Sequence, residues 1–239
     1  MSISIIIPCK NEENTILKTV NILKNKIKNK IKNYEFILIN DFSTDGTLKV
    51  IKKISKNSKN VNFSNNKNKG LGGAINLGVK VSKKKFIVIV MADLSDDPND
   101  LIRYYKEINK NNLDAIFGSR FTKKSKVIDY PIRKLIYNRI FNFLVKIIFL
   151  SNYNDFTNAF KIYKKKTLKE LMPIVSDHFN VFLELPLKII IRKYKYKIIP
   201  ISWKGRKIGV SKFKISELGS MYIFTLLYCF IEKILLKKR

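Results

Sequence analysis

Three carboxylates follow a strongly apolar segment near the middle of the chain. The segment over 86–92 reads Phe-Ile-Val-Ile-Val-Met-Ala, and Asp93, Asp96 and Asp97 come after it, before Pro98. Carboxylates at the carboxyl end of a strand are where an α/β sheet binds a metal ion together with a phosphorylated ligand. The pattern therefore predicts a metal and phosphate site at this turn. Asp97 also has a structural explanation, because an Asp before a Pro is a common start of a helix.

The elements predicted around this turn are those of a parallel α/β sheet. Apolar runs alternate with helical patterns through the first half of the chain, which is typical of βαβ units. The polar motifs of this half follow predicted strands, so we expect them at one edge of the sheet, the usual ligand crevice. The predicted strands lie near 2–8, 34–40, 61–64, 85–91 and 113–118, and the predicted helices near 13–26, 45–55, 73–82 and 98–110.

Further short motifs occur in order along residues 2–215. They read Pro8-Cys-Lys-Asn-Glu-Glu13, Asn40-Asp-Phe-Ser43, Gly70-Leu-Gly-Gly73, Gly118-Ser-Arg120, Asp155-Phe-Thr-Asn-Ala-Phe160 and Arg206-Lys-Ile-Gly-Val-Ser-Lys212. In this order they resemble the motifs of family 2 glycosyltransferases, in the polyprenyl-phosphate branch that includes dolichyl-phosphate mannose synthase. The resemblance implies a GT-A fold, which is an α/β nucleotide-binding sheet with a less regular acceptor half.

The reaction implied by this resemblance is transfer of a sugar with inversion at the anomeric carbon. An oxygen of a polyprenyl phosphate would displace the nucleoside diphosphate of a nucleotide-sugar donor, either GDP-mannose or a UDP-sugar. The departing diphosphate needs a counter-charge, which Mg²⁺ or Mn²⁺ held by Asp93 would supply. The family commonly has a further Asp where this chain has Met91, and Asp96 is the candidate that restores the charge as a second metal ligand.

The resemblance also assigns residues to the nucleotide and to the phosphates. Glu12 would accept hydrogen bonds from the ribose and Asp41 would contact the base or the ribose. Gly70 opens a turn whose small residues let the backbone approach the ligand, and Arg120 can make forked contacts to phosphate oxygens. The predicted nucleotide-binding residues are Pro8, Lys10, Glu12, Asp41 and Gly70, and the predicted phosphate-binding residues are Arg120, Arg206, Ser211 and Lys212.

Asp155 is the second predicted catalytic residue, after Asp93. In the wider fold a carboxylate at this place can act as general base, but a lipid phosphate is already an anion and needs no strong base. Asp155 could instead position the acceptor or a loop. If the acceptor were a sugar hydroxyl, as in cell-surface polysaccharide assembly, Asp155 would have to act as the base. A non-catalytic binding protein on the same fold is a further alternative, which the Met91 departure keeps open.

The chain carries a large positive charge, with 48 Lys and Arg residues against 18 Asp and Glu residues and a formal net charge of +30. Such a charge suits nucleic acid, but the lysines are scattered and no RNA- or DNA-binding motif accompanies them. Attraction to an anionic membrane surface or to sugar phosphates explains the same charge, so we expect no nucleic-acid partner.

The cysteines and the amino terminus predict a cytoplasmic protein. Cys9 and Cys229 are far apart in sequence and are expected to be free thiols of a reducing compartment. The first residues lack the basic region and the long apolar core of a signal peptide and read instead as a first strand.

Two apolar segments in the second half predict helices, over 130–150 and 219–236. The second has only about fourteen uncharged residues before Glu232, fewer than the roughly twenty needed to span a bilayer. We therefore expect a GT-A domain over 1–215 and a membrane-interfacial helix over 216–239, which places the protein peripherally on the cytoplasmic face of the membrane. For the first helix, a core-facing and a membrane-surface orientation both account for its apolar stripe, formed by Ile132, Leu135, Ile136, Ile140, Phe143 and Ile147.

Overall fold

A seven-stranded sheet lies at the centre of the protein, whose computed structural model describes residues 2–205 and 215–237, with the backbone alone at 215–218 and 237. The described strands are, in chain order, β1 (Ser2–Cys9), β2 (Asn33–Asn40), β3 (Val61–Asn65), β4 (Phe86–Ile89), β5 (Ala115–Ser119), β6 (Lys126–Ile128), β7 (Lys161–Lys164), β8 (Tyr196–Pro200) and β9 (Ser202–Lys204). β6 and β9 pair with each other in a small separate sheet, and the other strands form the central one.

Helices cover both faces of the central sheet. The described helices are α1 (Ile16–Ile27), α2 (Thr47–Lys56), α3 (Leu71–Val81), α4 (Pro98–Lys110), α5 (Ile132–Phe149), α6 (Lys165–Glu170), α7 (Val181–Ile191) and α8 (Ile215–Lys237). The predicted βαβ pattern of the first half is confirmed, because every strand and helix predicted there is present with ends that differ by a few residues at most.

One strand interrupts the parallel order of the central sheet. The strands are arranged as β3-β2-β1-β4-β7-β5-β8, and β7 runs antiparallel between β4 and β5. Its first residue, Lys161, therefore lies beside Ile89 and Phe117, where β4 and β5 approach their carboxyl ends. The edge that should bind the ligand thus also contains the beginning of an opposing strand.

Alternation along the strands produces two apolar clusters. Successive side chains of a strand point to opposite faces, so Ile5 belongs to the cluster that includes residues of α1, α2 and α4, and Ile6 to the cluster that includes residues of α3 and α7. Both faces are buried, as parallel sheets require. This burial fixes the register of each strand and hence the position of the polar residues that follow it.

The apolar helices α5 and α8 pack against each other. Ring centroids are 5.5 Å apart for Phe141 and Tyr222 and 6.4 Å apart for Phe149 and Phe230. Most of the stripe predicted for α5 faces outwards, so the core-facing orientation is wrong; α5 instead buries Asn142, Val145 and Phe149. The outward residues are 51% to 74% exposed and comprise Ile132, Ile136, Ile140, Phe143 and Ile147.

Candidate active site

Asp93 lies in an open cleft at the carboxyl edge of the sheet, on the turn that follows β4. Its Oδ1 accepts a hydrogen bond from the amide of Ser95 at 3.0 Å, which orders the turn. The cleft has a volume of about 280 Å³ and is also lined by Thr15 and Lys18, at the start of α1, and by Lys204 of β9. A carboxylate beside two ammonium groups suits a ligand that combines a metal ion with phosphate oxygens.

Asp96 and Asp97 have different environments, as the sequence predicts. Asp97 caps α4, because its carboxylate accepts a hydrogen bond from the amide of Asn99 at 2.8 Å. Asp96 is buried, and its Oδ1 has no hydrogen-bond partner among the described residues. Burial, together with a smaller contribution from the nearby Asp93, raises the pKa of Asp96 to about 8. The capping role predicted for Asp97 is confirmed. Asp96 instead has a buried carboxylate whose Oδ1 lacks a hydrogen-bond partner among the described residues.

The carboxylates of Asp93 and Asp96 fit a divalent cation that also binds the substrate. Described residues contain no cluster of three or more His, Cys, Asp or Glu that could hold a metal ion alone. Mg²⁺ and Mn²⁺ accept one or two carboxylates when diphosphate oxygens and water complete the coordination, and the orphaned Oδ1 of Asp96 is a suitable donor. Met91 is partly buried and packs against the apolar cluster on the α3 and α7 side. It supplies no metal ligand where the family commonly has an Asp.

The predicted nucleotide residues gather at the ends of β1 and β2. The Oδ1 of Asp41 accepts hydrogen bonds from the Asn66 side chain at 2.8 Å and from the Gly70 amide at 2.9 Å. Glu12 accepts a bond from the Thr15 hydroxyl at 2.7 Å. Pro8 ends β1 with Cys9, and Lys10 follows directly. Asp41 and Gly70 are thus in direct contact, while the nucleotide contacts of these residues stay predictions.

The glycine-rich turn serves the protein's own packing. Gly70 has a φ of +117°, which favours glycine. The amide of Gly72 donates to the carbonyl of Asp177 at 2.9 Å, and a Cβ at Gly72 would overlap the carbonyl oxygen of Ser176. The small residues therefore allow the segment before α7 to approach this turn, in addition to any approach of a ligand.

Arg120 and Asp155 form a buried ion pair. Arg120 follows β5 directly, and Asp155 lies in the loop between α5 and β7. The Arg120 amide and Nε donate to Oδ2 of Asp155 at 2.8 and 2.9 Å, and Nη2 donates to Oδ1 at 2.6 Å. Burial opposes the charge of the guanidinium, but Asp155 more than offsets this and raises the pKa of Arg120. The forked contact predicted between Arg120 and phosphate is made here with Asp155, and phosphate binding by Arg120 stays a prediction.

Aromatic rings surround this pair and connect it to the metal side. The guanidinium carbon of Arg120 lies 5.5 Å from the ring of Tyr130 and 5.7 Å from that of Trp203. Trp203 also forms an antiparallel bridge with Asp96. The two halves of the site are therefore adjacent along one edge of the sheet.

The predicted site and the described site differ in four residues. Arg206, Ser211 and Lys212, predicted to bind phosphate, lie outside the described residues. Sequence reasoning missed Lys161, which is fully buried beside the Arg120–Asp155 pair. Its signal is a lysine directly after the Asp155 motif and before an apolar pair, Ile162 and Tyr163, but lysines are so frequent in this chain that the signal is weak.

Sequence relatives of the chain carry glycosyltransferase names. The family described as Glycosyl transferase family 2 matches residues 4–172. A dolichol-phosphate mannosyltransferase of Pyrococcus furiosus is 28% identical over 219 residues, which cover 90% of this chain and 60% of that protein. A dolichyl-phosphate beta-glucosyltransferase of Trichomonas vaginalis is 30% identical over 234 residues, covering 92% of this chain and 71% of that protein. The chain thus spans less than two thirds of the Pyrococcus relative.

Solved structures share the fold at low sequence identity. The glucosyl-3-phosphoglycerate synthase of Mycobacterium tuberculosis, in complex with Mn²⁺, UDP and phosphoglyceric acid, has a TM-score of 0.71 and 16% identity over 96% of this chain and 78% of that chain. TarS 1-349 of S. aureus has a TM-score of 0.61 and 20% identity over 85% of this chain and 60% of that chain. The predicted GT-A fold is confirmed by this likeness and by the mostly parallel sheet.

Proposed function

The chain belongs to glycosyl transferase family 2, and from that premise we propose that it transfers a sugar, with inversion, from a nucleotide-sugar donor to a polyprenyl phosphate. The observation that carries this proposal is the arrangement along one sheet edge of Asp41, Asp93 and the Arg120–Asp155 pair. The relatives named as dolichol-phosphate sugar transferases support the choice of acceptor. The proposed donor is GDP-mannose or a UDP-sugar.

The donor half of the proposed mechanism depends on Asp93 and Asp96. A divalent cation, Mg²⁺ or Mn²⁺, would neutralise the charge of the departing diphosphate. Asp93 and Asp96 would hold this ion, and Lys18 and Lys204 attract the phosphates of the donor from the cleft walls. Glu12 and Asp41 orient the nucleoside, so the anomeric carbon is directed towards the Asp155 side of the edge.

The ion pair favours a phosphate acceptor over a sugar hydroxyl. Both oxygens of Asp155 already accept hydrogen bonds from Arg120, so removing a proton from a hydroxyl would require Asp155 to give up a buried pair. A polyprenyl phosphate oxygen is already anionic and attacks without a base. Asp155 accordingly has a positioning role in this mechanism, and it holds Arg120 where the acceptor phosphate approaches.

The flank formed by α5 and α8 is proposed to lie on an anionic membrane surface at the cytoplasmic face. Gly219–Leu236 of α8 is long and apolar enough to cross a membrane by length and composition alone, and only 17% of it is buried. However, Glu232 forms an ion pair with Arg192 at 2.6 Å, and the Asn180 side chain donates a hydrogen bond to the Thr225 hydroxyl at 2.9 Å. These contacts join α8 to both ends of α7. These ties favour a helix lying in the interface, with residues 1–215 as the catalytic domain.

An assay of product solubility tests this function. The protein is incubated with Mn²⁺, a panel of radiolabelled GDP- and UDP-sugars, and one acceptor at a time, which is undecaprenyl phosphate, dolichyl phosphate or an oligosaccharide, with the Asp93→Asn variant as control. We expect label in the organic phase with the wild type and little with the variant. Label that stays in water and reaches only sugar acceptors would instead support the hydroxyl reaction, and label in neither product would support a binding protein.

A further inference from the structure

The ammonium group of Lys161 is buried and bound by backbone carbonyls. It donates to the carbonyl of Phe156 at 3.0 Å, to that of Asn158, and to that of Phe182 at 3.3 Å. Among the side chains described at 2–205 and 219–236, no carboxylate forms an ion pair with it. Carbonyl dipoles therefore replace a counter-ion at this position.

These bonds fix the turn that carries Asp155. Phe156 and Asn158 belong to that turn, in which the Asn158 amide donates to the Asp155 carbonyl at 3.2 Å. The bond to Phe182 joins the same ammonium to α7, while the Lys161 backbone is held between β4 and β5. The Lys161 side chain thus ties the turn to the sheet and to α7, in addition to the hydrogen bonds that the side chains of Asn142 and Asn158 make in the same turn.

The position of this turn decides where Arg120 lies. Asp155 holds the guanidinium by hydrogen bonds of 2.6 and 2.9 Å. The same guanidinium carbon lies 5.5 Å from the ring of Tyr130 and 5.7 Å from that of Trp203, and these two rings also contact each other. A displacement of the turn would therefore move the ion pair and change the surroundings of the Trp203 ring.

The free-energy cost of burying the Lys161 ammonium indicates that this side chain does more than fill space in the core. Burial lowers the pKa of Lys161 to about 7, and the nearby Asp155 opposes the lowering. A methionine has a similar length and would fill the space without that desolvation penalty. The hydrogen bonds of the Lys161 ammonium to the three carbonyls must therefore offset this desolvation penalty.

We infer that Lys161 is a positioning residue for the transfer reaction: its ammonium fixes the turn 155–158 and thereby sets where Asp155 and Arg120 meet the acceptor. The catalytic part of this inference rests on the proposed function. Lys161 does not touch the substrate and acts through Asp155. Its structural consequence, the placement of the ion pair beside Trp203, can be measured without any activity.

Lys188 provides a matched control. It is also fully buried, and it donates to the carbonyls of Leu171 at 3.2 Å and Pro173 at 2.6 Å and pairs with Glu184 at 2.6 Å. None of these groups contacts Arg120 or Trp203. Replacing Lys188 therefore removes another fully buried ammonium, one that is paired with a carboxylate, from a place that does not position the site.

The experiment uses Trp203, which is the single tryptophan of the chain, as a reporter. Lys161 and Lys188 are each replaced by Met and, to retain one donor if the Met variants do not fold, by Gln. Emission maximum, acrylamide quenching, and affinity for UDP and GDP with Mn²⁺ are measured on full-length protein. Transfer to undecaprenyl phosphate is then followed, with kcat and KM separated.

We expect Lys161→Met to shift the Trp203 emission and to increase its quenching, with nucleotide affinity unchanged. Its kcat should fall about a hundredfold at an unchanged KM for the nucleotide sugar, as for a displaced catalytic geometry, and Lys161→Gln should recover part of it. Lys188→Met should lower the melting temperature and leave the Trp203 signal as in the wild type. An unchanged Trp203 signal in both Lys161 variants, or an equal change in the Lys188 variants, would overturn the inference. If no acceptor supports transfer, the proposed function fails while the Trp203 comparison still decides the inference.

Discussion

Replacing Asp155 with Asn should leave a buried guanidinium without a counter-charge. The side chains of Arg120 and Asp155 are only 7% and 0% exposed, so solvent cannot screen the unpaired charge. Asparagine keeps the size of the side chain and one acceptor oxygen, but its amide group cannot accept the remaining bonds. Removing one partner of a buried pair costs about 3–5 kcal/mol, and the full burial of this pair places the expected loss at the upper part of that range.

Urea unfolding of the wild type, Asp155→Asn, Arg120→Met and the Arg120→Met/Asp155→Leu double variant measures this loss. The double variant should recover most of the stability, because apolar side chains replace a buried pair at little cost, yet it should transfer no sugar. A loss below about 1 kcal/mol in Asp155→Asn, the size typical of exposed pairs, would refute the reasoning. Loss of activity in the stable double variant would separate the catalytic role of the pair from its contribution to folding.

The other predictions concern the acidic turn and the membrane flank. Asp93→Asn should lower kcat by about two orders of magnitude or more through lost stabilisation of the leaving group, and full activity of the wild type in excess EDTA would contradict the metal requirement. Asp97→Ala should cost about 1 kcal/mol of stability as the loss of a helix cap, measured by thermal unfolding, with the metal dependence of turnover unchanged. For Asp96, whose pKa is raised from 3.8 to about 8, the folded metal-free protein binds the proton more tightly than the unfolded chain. Its stability should therefore fall as pH rises through that window, by up to about 1.4 kcal/mol per pH unit. Asp96→Asn should flatten this profile in EDTA, and an identical profile in wild type and variant would show that Asp96 is not the group. Alkaline carbonate should release the protein from anionic membranes, whereas retention in the pellet would indicate that Gly219–Leu236 crosses the bilayer.

The first half of the fold could be predicted because local pattern and tertiary structure agree there. β1, β2 and β4 are buried apolar runs that lead into polar residues, and each strand from β1 to β4 is followed by a helix that packs on the sheet. The start of α4 was predictable to the residue, since an Asp cap and a Pro at the first helical position leave little choice.

The second half resisted prediction because its decisive contacts join residues that are distant in sequence. No local pattern reveals that Lys161 opens an antiparallel strand between β4 and β5, or that the forked donors of Arg120 are bound by Asp155. The outward orientation of the α5 stripe was likewise undecided, because a helix buries whichever face its neighbours cover. The site motifs gave the positions of Asp41 and Asp93 correctly relative to the strands, whereas the residue that supports Asp155 needed the tertiary structure.

The place of β7 has a consequence for the order in which the protein is made. β4 and β5 are synthesised well before residue 161, yet they do not pair with each other and each waits for β7. A nascent chain that stops short of β7 leaves one edge of β4 unpaired and leaves β5 without either of its partners, β7 and β8, and such open edges invite incorrect pairing. Non-local pairing of this kind also slows folding. The half of the site that contains Asp93 and the half that contains Arg120 and Asp155 are consequently joined through the sheet only once β7 has been synthesised and has paired with both β4 and β5.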